Sequence, residues 1–233
     1  MYGRDNTFGG YSTSIVVKES FVLRVPEGLD PAAAAPILCA GVTTFSPLRR
    51  WGVTAGQKVG VVGVGGLGHM AIKLARALGA EVWAFTSSQD KLDEMAGLGA
   101  VGVLESDKAA MKALELSLDF ILSTVPEKHD LNPYVSMLKR DGAVVAVGAL
   151  EAMAGLNNME LAMHRRSAAG SLIGGIAETQ EVLDFCAEHG IAPEIQVIPI
   201  QEVNQAYKAV SKGDVRFRYV IDMASLKAEM AEA

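Results

Sequence analysis

The sequence predicts an α/β fold in which helices cover both faces of a doubly wound parallel sheet. Three observations lead to this prediction. Short apolar runs alternate with amphipathic stretches between Val59 and Ile173, which is the pattern of strands joined by crossover helices. Residues 144–147 (Val-Val-Ala-Val) are apolar throughout, as expected of a strand that is buried on both faces. Gly79 and Gly99 end two amphipathic stretches, as glycines do at helix C-termini.

The elements follow one another in the order that such a fold requires. Apolar runs predict six strands, at residues 58–62, 81–86, 101–104, 118–124, 143–148 and 169–173. Helices are predicted at 67–78 and 91–98. In the first of them, apolar residues recur at a helical spacing, at Leu67, Met70, Ala71, Leu74 and Leu78.

The two flanks have a different pattern. Residues 11–25 alternate and carry β-branched side chains, which is typical of β-structure. The other flank predicts a strand at 195–200, a helix at 202–211, a strand at 217–221 and a frayed helical end at 223–233.

Composition argues against several classes of function. The formal net charge is −6, whereas nucleic acids and anionic membranes select a basic face, so neither is an expected partner. No apolar run of about 18 residues predicts a membrane-spanning helix, and Met1 to Gly10 has no signal-peptide core. Cys39 and Cys186 lie far apart and suggest no disulfide framework. A reducing, cytoplasmic location is the simplest interpretation.

A glycine-rich motif, Gly63-Val-Gly-Gly-Leu-Gly68, follows the first predicted strand and opens the first predicted helix. In this context the G-x-G-x-x-G pattern indicates the Rossmann dinucleotide-binding turn. The first glycine allows a tight turn, the second lets the backbone approach a pyrophosphate, and the third lets helix and strand pack closely. The alternative is a glycine-rich turn that binds nothing. The predicted cofactor-binding residues of this loop are Gly63, Gly65, Gly66, Leu67 and Gly68.

The tip of the second predicted strand favours NADP over NAD. NAD sites usually place a carboxylate there to bind the ribose, but this strand ends in Thr86, Ser87 and Ser88, with Lys91 close behind. Hydroxyl groups and a lysine suit a 2′-phosphate. Asp90 is a competing carboxylate, but it lies inside the following turn. The alternative is that the hydroxyl groups only cap the next helix.

Five separated motifs resemble the cinnamyl-alcohol-dehydrogenase-type branch of the zinc-dependent, medium-chain alcohol dehydrogenases. They are Gly9-Gly-Tyr-Ser12, Ala35-Pro-Ile-Leu-Cys-Ala-Gly-Val-Thr43, Val61-Val-Gly-Val-Gly-Gly-Leu-Gly-His69, Gly170-Ser-Leu-Ile-Gly-Gly175 and Arg216-Phe-Arg-Tyr-Val-Ile-Asp222. The likeness covers roughly residues 7–222. It implies an NADP-dependent alcohol dehydrogenase or aldehyde reductase, in which zinc polarises the oxygen of a small aldehyde or alcohol substrate and NADPH delivers hydride.

The resemblance also implies roles for individual residues. Cys39 would be a ligand of the catalytic zinc, and Thr43 would contact the nicotinamide side of the cofactor. Thr86, Ser87, Ser88 and Lys91 would surround the 2′-phosphate. Further cofactor-binding positions are Thr124, Gly148, Ser171, Leu172 and Ile173. The last three lie in the segment 167–175, whose small, apolar strand predicts a homodimer interface.

The chain departs from the family in its metal ligands. It begins where the family is already well into a GroES-like catalytic domain, so that the other expected zinc ligands and a four-cysteine site do not occur in it. The predicted organisation is a partial catalytic domain at 1–39, an NADP-binding Rossmann domain at 40–175 and a return to the catalytic domain at 176–233. A zinc-free medium-chain reductase and a non-enzymatic NADP-binding protein are the alternative functions.

The cysteines and histidines have simpler interpretations too. Without the resemblance, Cys39 would be taken as a small buried hydrophobic residue, and Cys186 is expected in a helix core. None of the histidines has metal-ligand spacing to Cys39. His69 begins the helix after the glycine loop, so a role beside the cofactor stays open. Surface or helix-capping roles are expected for His129, His164 and His189.

Overall fold

A parallel sheet lies at the centre of the computed structural model, which describes residues 9–149, 151–212 and 217–226. Among these residues, six strands pair in the order β3-β2-β1-β4-β5-β6, the doubly wound arrangement of a Rossmann fold. The strands are β1 (Lys58–Val62), β2 (Glu81–Thr86), β3 (Val101–Leu104), β4 (Leu118–Ser123), β5 (Leu138–Ala146) and β6 (Ser167–Gly170). A separate parallel pair is formed by β7 (Ile195–Pro199) and β8 (Arg218–Asp222).

Helices cover both faces of the six-stranded sheet. In the described part of the chain, the helices are α1 (Pro31–Pro36), α2 (Val42–Arg50), α3 (Gly68–Ala77), α4 (Leu92–Gly97), α5 (Lys108–Ala113), α6 (Asn132–Val135), α7 (Asn158–Met163), α8 (Ile176–His189) and α9 (Val203–Ser211). Of these, α1 contacts the β7-β8 pair. A π-helical turn, Ile37–Gly41, joins α1 to α2. Short 3₁₀ segments occur at Glu19–Phe21, Gln89–Lys91 and Ile200–Glu202.

The core divides between the two faces because side chains alternate along each strand. On one face, Val59 and Val61 of β1 pack with α2, α3 and α8. On the other, Val62 packs with residues of α6 and of the neighbouring strands. Cys186 of α8 is fully buried, as expected, and burial raises the pKa of its thiol to about 12. An apolar, unionised thiol of this kind is a packing residue.

The predicted elements of the sheet are confirmed, with differences at two strands. β5 begins at Leu138, earlier than predicted, because Leu138 pairs with Leu118 across an irregularity in the register. β6 ends at Gly170 because its pairing with β5 ends there, so that Leu172 and Ile173 lie beyond the strand. The division of the chain at 39/40 and 175/176 stays a prediction. Of the predicted helical end at 223–233, residues 227–233 lie outside the described residues, as does Arg216.

Residues 11–25 form no strand, which differs from the sequence prediction. The segment contains one 3₁₀ turn, and Val16 is 92% exposed. A strand requires a neighbouring backbone to pair with its N–H and C=O groups. Here Arg24 pairs instead with a side chain of α8, since its N–H donates to Oε1 of Gln180 at 2.9 Å and its carbonyl accepts from Nε2 at 3.0 Å.

The continuous helical stretch Pro31–Arg50 is long and apolar enough to cross a membrane by length and composition alone. It contains no unbroken apolar run of that length, since small and polar residues interrupt it, in agreement with the sequence analysis. However, 67% of its most apolar window is buried, and α2 packs against α3 and α8. Burial in the core of the protein accounts for its apolar composition.

His69 connects the start of α3 to the C-terminal part of the chain. The residue is completely buried. Its Nδ1 lies 3.1 Å from the carbonyl oxygen of Gly65, and its Nε2 lies 3.3 Å from the backbone nitrogen of Glu194. Since the Glu194 N–H is a donor, Nε2 must accept and Nδ1 must carry the proton. The ring also stacks on Phe217, with centroids 4.3 Å apart.

We predict that His69 makes the protein sensitive to mild acid. Burial lowers the pKa of its imidazole from 6.5 to about 4. Because the unfolded chain takes up this proton at the higher pH, the folded state is fully stable above pH 6.5 and loses stability as the pH falls toward 4. The loss should reach about 2 kcal/mol near pH 5.

Urea unfolding of the wild-type chain and of His69→Phe, at a pH near 7.5 and a pH near 5, would measure this effect. Phenylalanine cannot take up a proton, so the variant should lose much less stability than the wild type over this interval. Equal losses in the two proteins would contradict the prediction.

Candidate dinucleotide-binding site

A cleft of about 920 Å³ lies at the carboxyl ends of β1, β2 and β4. Ligands of doubly wound sheets bind at this edge, where the strand order reverses, and here the reversal lies between β1 and β4. The residues lining the cleft are Gly63, Val64, Gly65, Gly66, Leu67, Phe85, Thr86, Ser87, Lys91, Glu105, Thr124, Val125, Pro126, Glu127, His129, Asp130, Tyr134, Val210, Phe217 and Arg218.

The glycine loop forms one wall of this cleft. Gly63 has a φ of +81°, in the left-handed region that favours glycine. A Cβ at Gly68 would overlap the carbonyl oxygen of Gly63 and lie 3.0 Å from its carbonyl carbon, so only glycine allows α3 to approach β1 this closely. A Cβ at Gly65 would meet nothing within 4 Å. The backbone at Gly65 is therefore open to a ligand.

Thr124 and Gly148 support the loop from the neighbouring strands. The hydroxyl of Thr124 donates to the carbonyl oxygens of Gly63 at 2.8 Å and Val62 at 3.1 Å. A Cβ at Gly148 would lie 2.6 Å from the carbonyl carbon of Thr124, so the chain after β5 passes directly against the end of β4. Thr124 lines the cleft, whereas Gly148 acts through Thr124.

The tip of β2 forms the opposite wall. Thr86 is buried, and its Oγ1 accepts the backbone N–H of Ser88 at 3.1 Å. Ser87 and Lys91 are exposed and line the cleft. Ser88 is half-buried and is not among the lining residues. Asp90 lies in the 3₁₀ segment, as the sequence predicted.

The cleft contains polar residues that sequence reasoning missed. The Tyr134 hydroxyl donates to Oε1 of Glu105 at 2.6 Å, and burial, followed by this bond, raises the pKa of Tyr134. Nε2 of His129 lies 2.8 Å from the Ser123 hydroxyl. His129 is half-buried at this position, because the loop after β4 folds back onto the sheet edge, and its predicted surface or capping role stays a prediction.

Arg218 crosses the glycine loop from β8. A Cβ at Gly66 would lie 2.7 Å from Cζ of Arg218, so the guanidinium covers this position. Nε of Arg218 is buried and has no hydrogen-bond partner among the described residues. A buried, unpartnered guanidinium nitrogen is costly, and an anion in the cleft would supply an acceptor. The sequence offered Arg218 only as part of a longer motif.

A second cleft of about 450 Å³ contains Cys39. Cys39 lies on the π-helical turn and is exposed, so the interpretation as a buried hydrophobic residue is wrong. The lining is largely apolar and comes from α1, α9 and the β7-β8 pair. The two clefts are neighbours, since they share Val210, Phe217 and Arg218.

The remaining predicted site residues lie away from the linings of these two clefts. Thr43 is buried on α2, 4% exposed. Ser171 donates its backbone N–H to the carbonyl of Ala146 at 3.1 Å. Leu172 and Ile173 are more than half exposed beside the sheet edge. The structure thus brings the loop, the β2 tip and Thr124 together, but not these four.

The described residues do not form a zinc site. Within 9–149, 151–212 and 217–226, no group of three histidine, cysteine or acidic side chains could hold a metal ion. A catalytic zinc needs about three protein donors, and Cys39 supplies one. Of the other histidines, His189 stacks on Phe185, and His164 is the C-cap residue of α7, with its backbone N–H bonded to Ala162.

Curated relatives are similar over almost the whole chain. The chain is 50% identical to the probable formaldehyde dehydrogenase AdhA of Bacillus subtilis, with 97% of the chain and 65% of the relative covered. It is 51% identical to the aldehyde reductase YahK of Escherichia coli, with 95% and 64% covered. The chain thus spans about 65% of the length of these relatives.

Solved structures share the fold. The cinnamyl alcohol dehydrogenase SbCAD4 of Sorghum bicolor matches with a TM-score of 0.85 and 43% identity, over 90% of the chain and 60% of that structure. The structure of CAD from Helicobacter pylori, complexed with NADP(H), matches with a TM-score of 0.81 and 42% identity, over 90% of the chain and 60% of that structure. Residues 66–188 match the zinc-binding dehydrogenase model. The chain therefore belongs to the zinc-binding dehydrogenase family.

Proposed function

We propose that the cleft at the carboxyl ends of β1, β2 and β4 binds NADP, and that the chain is the cofactor-binding part of an alcohol dehydrogenase or aldehyde reductase. One observation carries the proposal: an open glycine loop faces a strand tip that has hydroxyl groups and Lys91 but no carboxylate. When bound, NADPH supplies the hydride that reduces a carbonyl carbon. A relative that is named NADP-dependent alcohol dehydrogenase, and a related structure complexed with NADP(H), support the proposal.

The glycine loop and Arg218 would hold the pyrophosphate. Free backbone N–H groups at the start of α3 favour an anion, and Gly65 leaves room for it. Gly66 and Leu67 line the same wall, with Gly63 and Gly68 setting its shape. The guanidinium of Arg218 lies across Gly66 and would contribute a charge-assisted bond.

The tip of β2 would hold the 2′-phosphate. Ser87 offers a hydroxyl and Lys91 a positive charge to the cleft. Thr86 and Ser88 would act together, since the bond between them fixes the turn that presents Ser87. Glu105 brings a carboxylate to the adjoining strand end, but its Oε1 accepts from the Tyr134 hydroxyl. The groups that would favour the 2′-phosphate are Ser87 and Lys91.

The substrate side would lie at the apolar cleft beside Cys39, which suits a small aldehyde or alcohol. Thr124 would lie on the nicotinamide side at the end of β4, with Gly148 packed against it. The resemblance adds Thr43, Ser171, Leu172 and Ile173, although these four lie outside the linings of both clefts. A zinc ion at Cys39 would need two further protein donors beyond the described residues. A cytoplasmic location belongs to the proposal, because Cys39 and Cys186 are both free.

The lack of a metal cluster among the described residues favours one alternative, a zinc-free medium-chain reductase that transfers hydride alone. A protein that binds NADP without turnover is the other alternative. Metal analysis combined with an NADPH-linked aldehyde assay separates them. Turnover with bound zinc supports the proposal, turnover without zinc the first alternative, and binding without turnover the second.

We predict that NADPH binds more tightly than NADH, because Ser87 and Lys91 suit the 2′-phosphate. Ser87→Asp should reduce or reverse the preference, since it places a negative charge beside that phosphate; two charges about 4 Å apart near a protein surface repel by roughly 4 kcal/mol. Fluorescence titration of both cofactors measures this, with Ser117→Asp on a distant turn as control. Equal affinities of the wild-type chain for the two cofactors would contradict the prediction.

We predict a homodimer joined along β6. This strand pairs with β5 alone among the described strands, and an open strand edge favours pairing with a second chain. The side chains of Leu172, Ile173 and Ile176 are exposed beside it. Light scattering should give twice the mass of one chain, and Ala169→Pro should shift the protein to monomer. A wild-type monomer at micromolar concentration would argue against the interface.

We predict that the 233-residue chain has little or no zinc-dependent turnover, because Cys39 is the one donor that the predicted site supplies. The purified chain would be assayed with added zinc, NADPH and a panel of aromatic and aliphatic aldehydes. NADPH binding should persist in the same sample, since the loop and the β2 tip lie in one continuous unit. Robust turnover that Cys39→Ala abolishes would show that a working zinc site forms.

A further inference from the structure

We propose that His69 is a positioning residue for cofactor binding, which couples the glycine loop to the segment that carries Arg218. The imidazole would set the affinity for the pyrophosphate of NADP without touching the cofactor. This inference rests on the proposed binding of a dinucleotide in the cleft. It assigns a function to a buried histidine that neither the metal chemistry nor the predicted phosphate contacts use.

On the loop side, His69 fixes the peptide group that faces the cleft. The carbonyl oxygen of Gly65 accepts two bonds from this one residue, from the backbone N–H at 3.1 Å and from Nδ1 at 3.1 Å. Gly65 has no side chain of its own to restrain it, and a Cβ there would face open space. The two hydrogen bonds from His69 therefore restrict a backbone position that would otherwise be mobile.

On the other side, the same ring holds the C-terminal segment. Its face stacks on Phe217 with an interplanar angle of 14°. Phe217 has a φ of +72°, a conformation that is strained for a large side chain and persists only where the surroundings hold it. Arg218 follows directly and covers Gly66. The stacked ring thus helps to place the guanidinium over the loop.

The surroundings of His69 keep its ring in one hydrogen-bonding state. Lys73 and Arg218 both oppose a positive charge on the imidazole, whereas Glu194 favours one. Lys73 also pairs with Glu194 at 2.9 Å. Nε2 must accept from the Glu194 N–H while Nδ1 donates to Gly65. The neutral imidazole combines this donor, this acceptor and a flat stacking face in one side chain.

The test compares two ligands that share the 2′-phosphate end. NADPH has a pyrophosphate, whereas 2′-AMP has none. His69→Phe keeps a ring against Phe217 but loses both hydrogen bonds of the imidazole. It should therefore weaken NADPH binding about tenfold, which corresponds to the loss of roughly one charge-assisted hydrogen bond. The affinity for 2′-AMP should stay within about twofold of the wild-type value. His189→Phe is the matched control, since that histidine stacks on Phe185 away from the cleft and should leave both affinities unchanged.

A double-mutant cycle tests whether His69 acts through Arg218. In an Arg218→Gln background, His69→Phe should have a smaller effect on NADPH affinity than in the wild type, because coupled residues are not additive. Additive effects would overturn the coupling. Thermal unfolding checks that each variant is folded. If His69→Phe does not fold, Phe217→Leu replaces it, because this variant removes the stacked partner instead. Phe217→Leu should give the same selective loss of NADPH affinity.

The outcomes separate this inference from the proposed function. Wild-type chain that binds neither NADPH nor 2′-AMP would overturn the proposed function, and this inference with it. Tight wild-type binding that His69→Phe leaves unchanged would overturn this inference alone. An equal loss for both ligands would also overturn it, because it would show a general effect on folding rather than a selective effect at the pyrophosphate.

Discussion

The close approach of α3 to the end of β1 is the constraint on which the cleft depends. The carbonyl of Gly63 lies so near Gly68 that a Cβ there would overlap it, and the Thr124 hydroxyl donates to the same oxygen. One carbonyl thus links β1, the helix start and β4. Since the first N–H groups of a helix have no partner within it, this packing leaves the start of α3 facing the sheet edge where a phosphate would bind.

The central sheet could be predicted from sequence because its signals are local. Apolar runs predict strands, and the glycines at 63 and 68 predict a turn that the packing requires. Residues 11–25 carry an equally clear alternating pattern but form no strand. The pattern reports which residues favour a pleated, half-buried surface, and it cannot report whether a neighbouring strand is present. Cys39 shows the same limit, since its exposure depends on what packs on the π-helical turn.

Much of the candidate site could not be predicted, because its residues come together only through the strand order. Glu105 follows β3, Tyr134 lies on α6 and Arg218 lies on β8, and no spacing along the chain connects them. The glycine loop and the β2 tip, in contrast, belong to one β-α-β unit with a known signature. His129 illustrates the difference: only the fold shows that its loop returns to Ser123.

Phe217 and Arg218 form a wall that the cleft at the glycine loop shares with the apolar cleft of Cys39. Hydride transfer requires the reacting atoms to lie about 3–3.5 Å apart. In the proposed function, a cofactor on one side and a substrate on the other would therefore meet near such a boundary. The wall comes from the C-terminal segment, whereas the phosphates would be held by the first β-α-β unit. The contacts of His69 with Gly65, Glu194 and Phe217 join these two parts. In the proposed function, substrate geometry and cofactor affinity would therefore depend on the same buried interface.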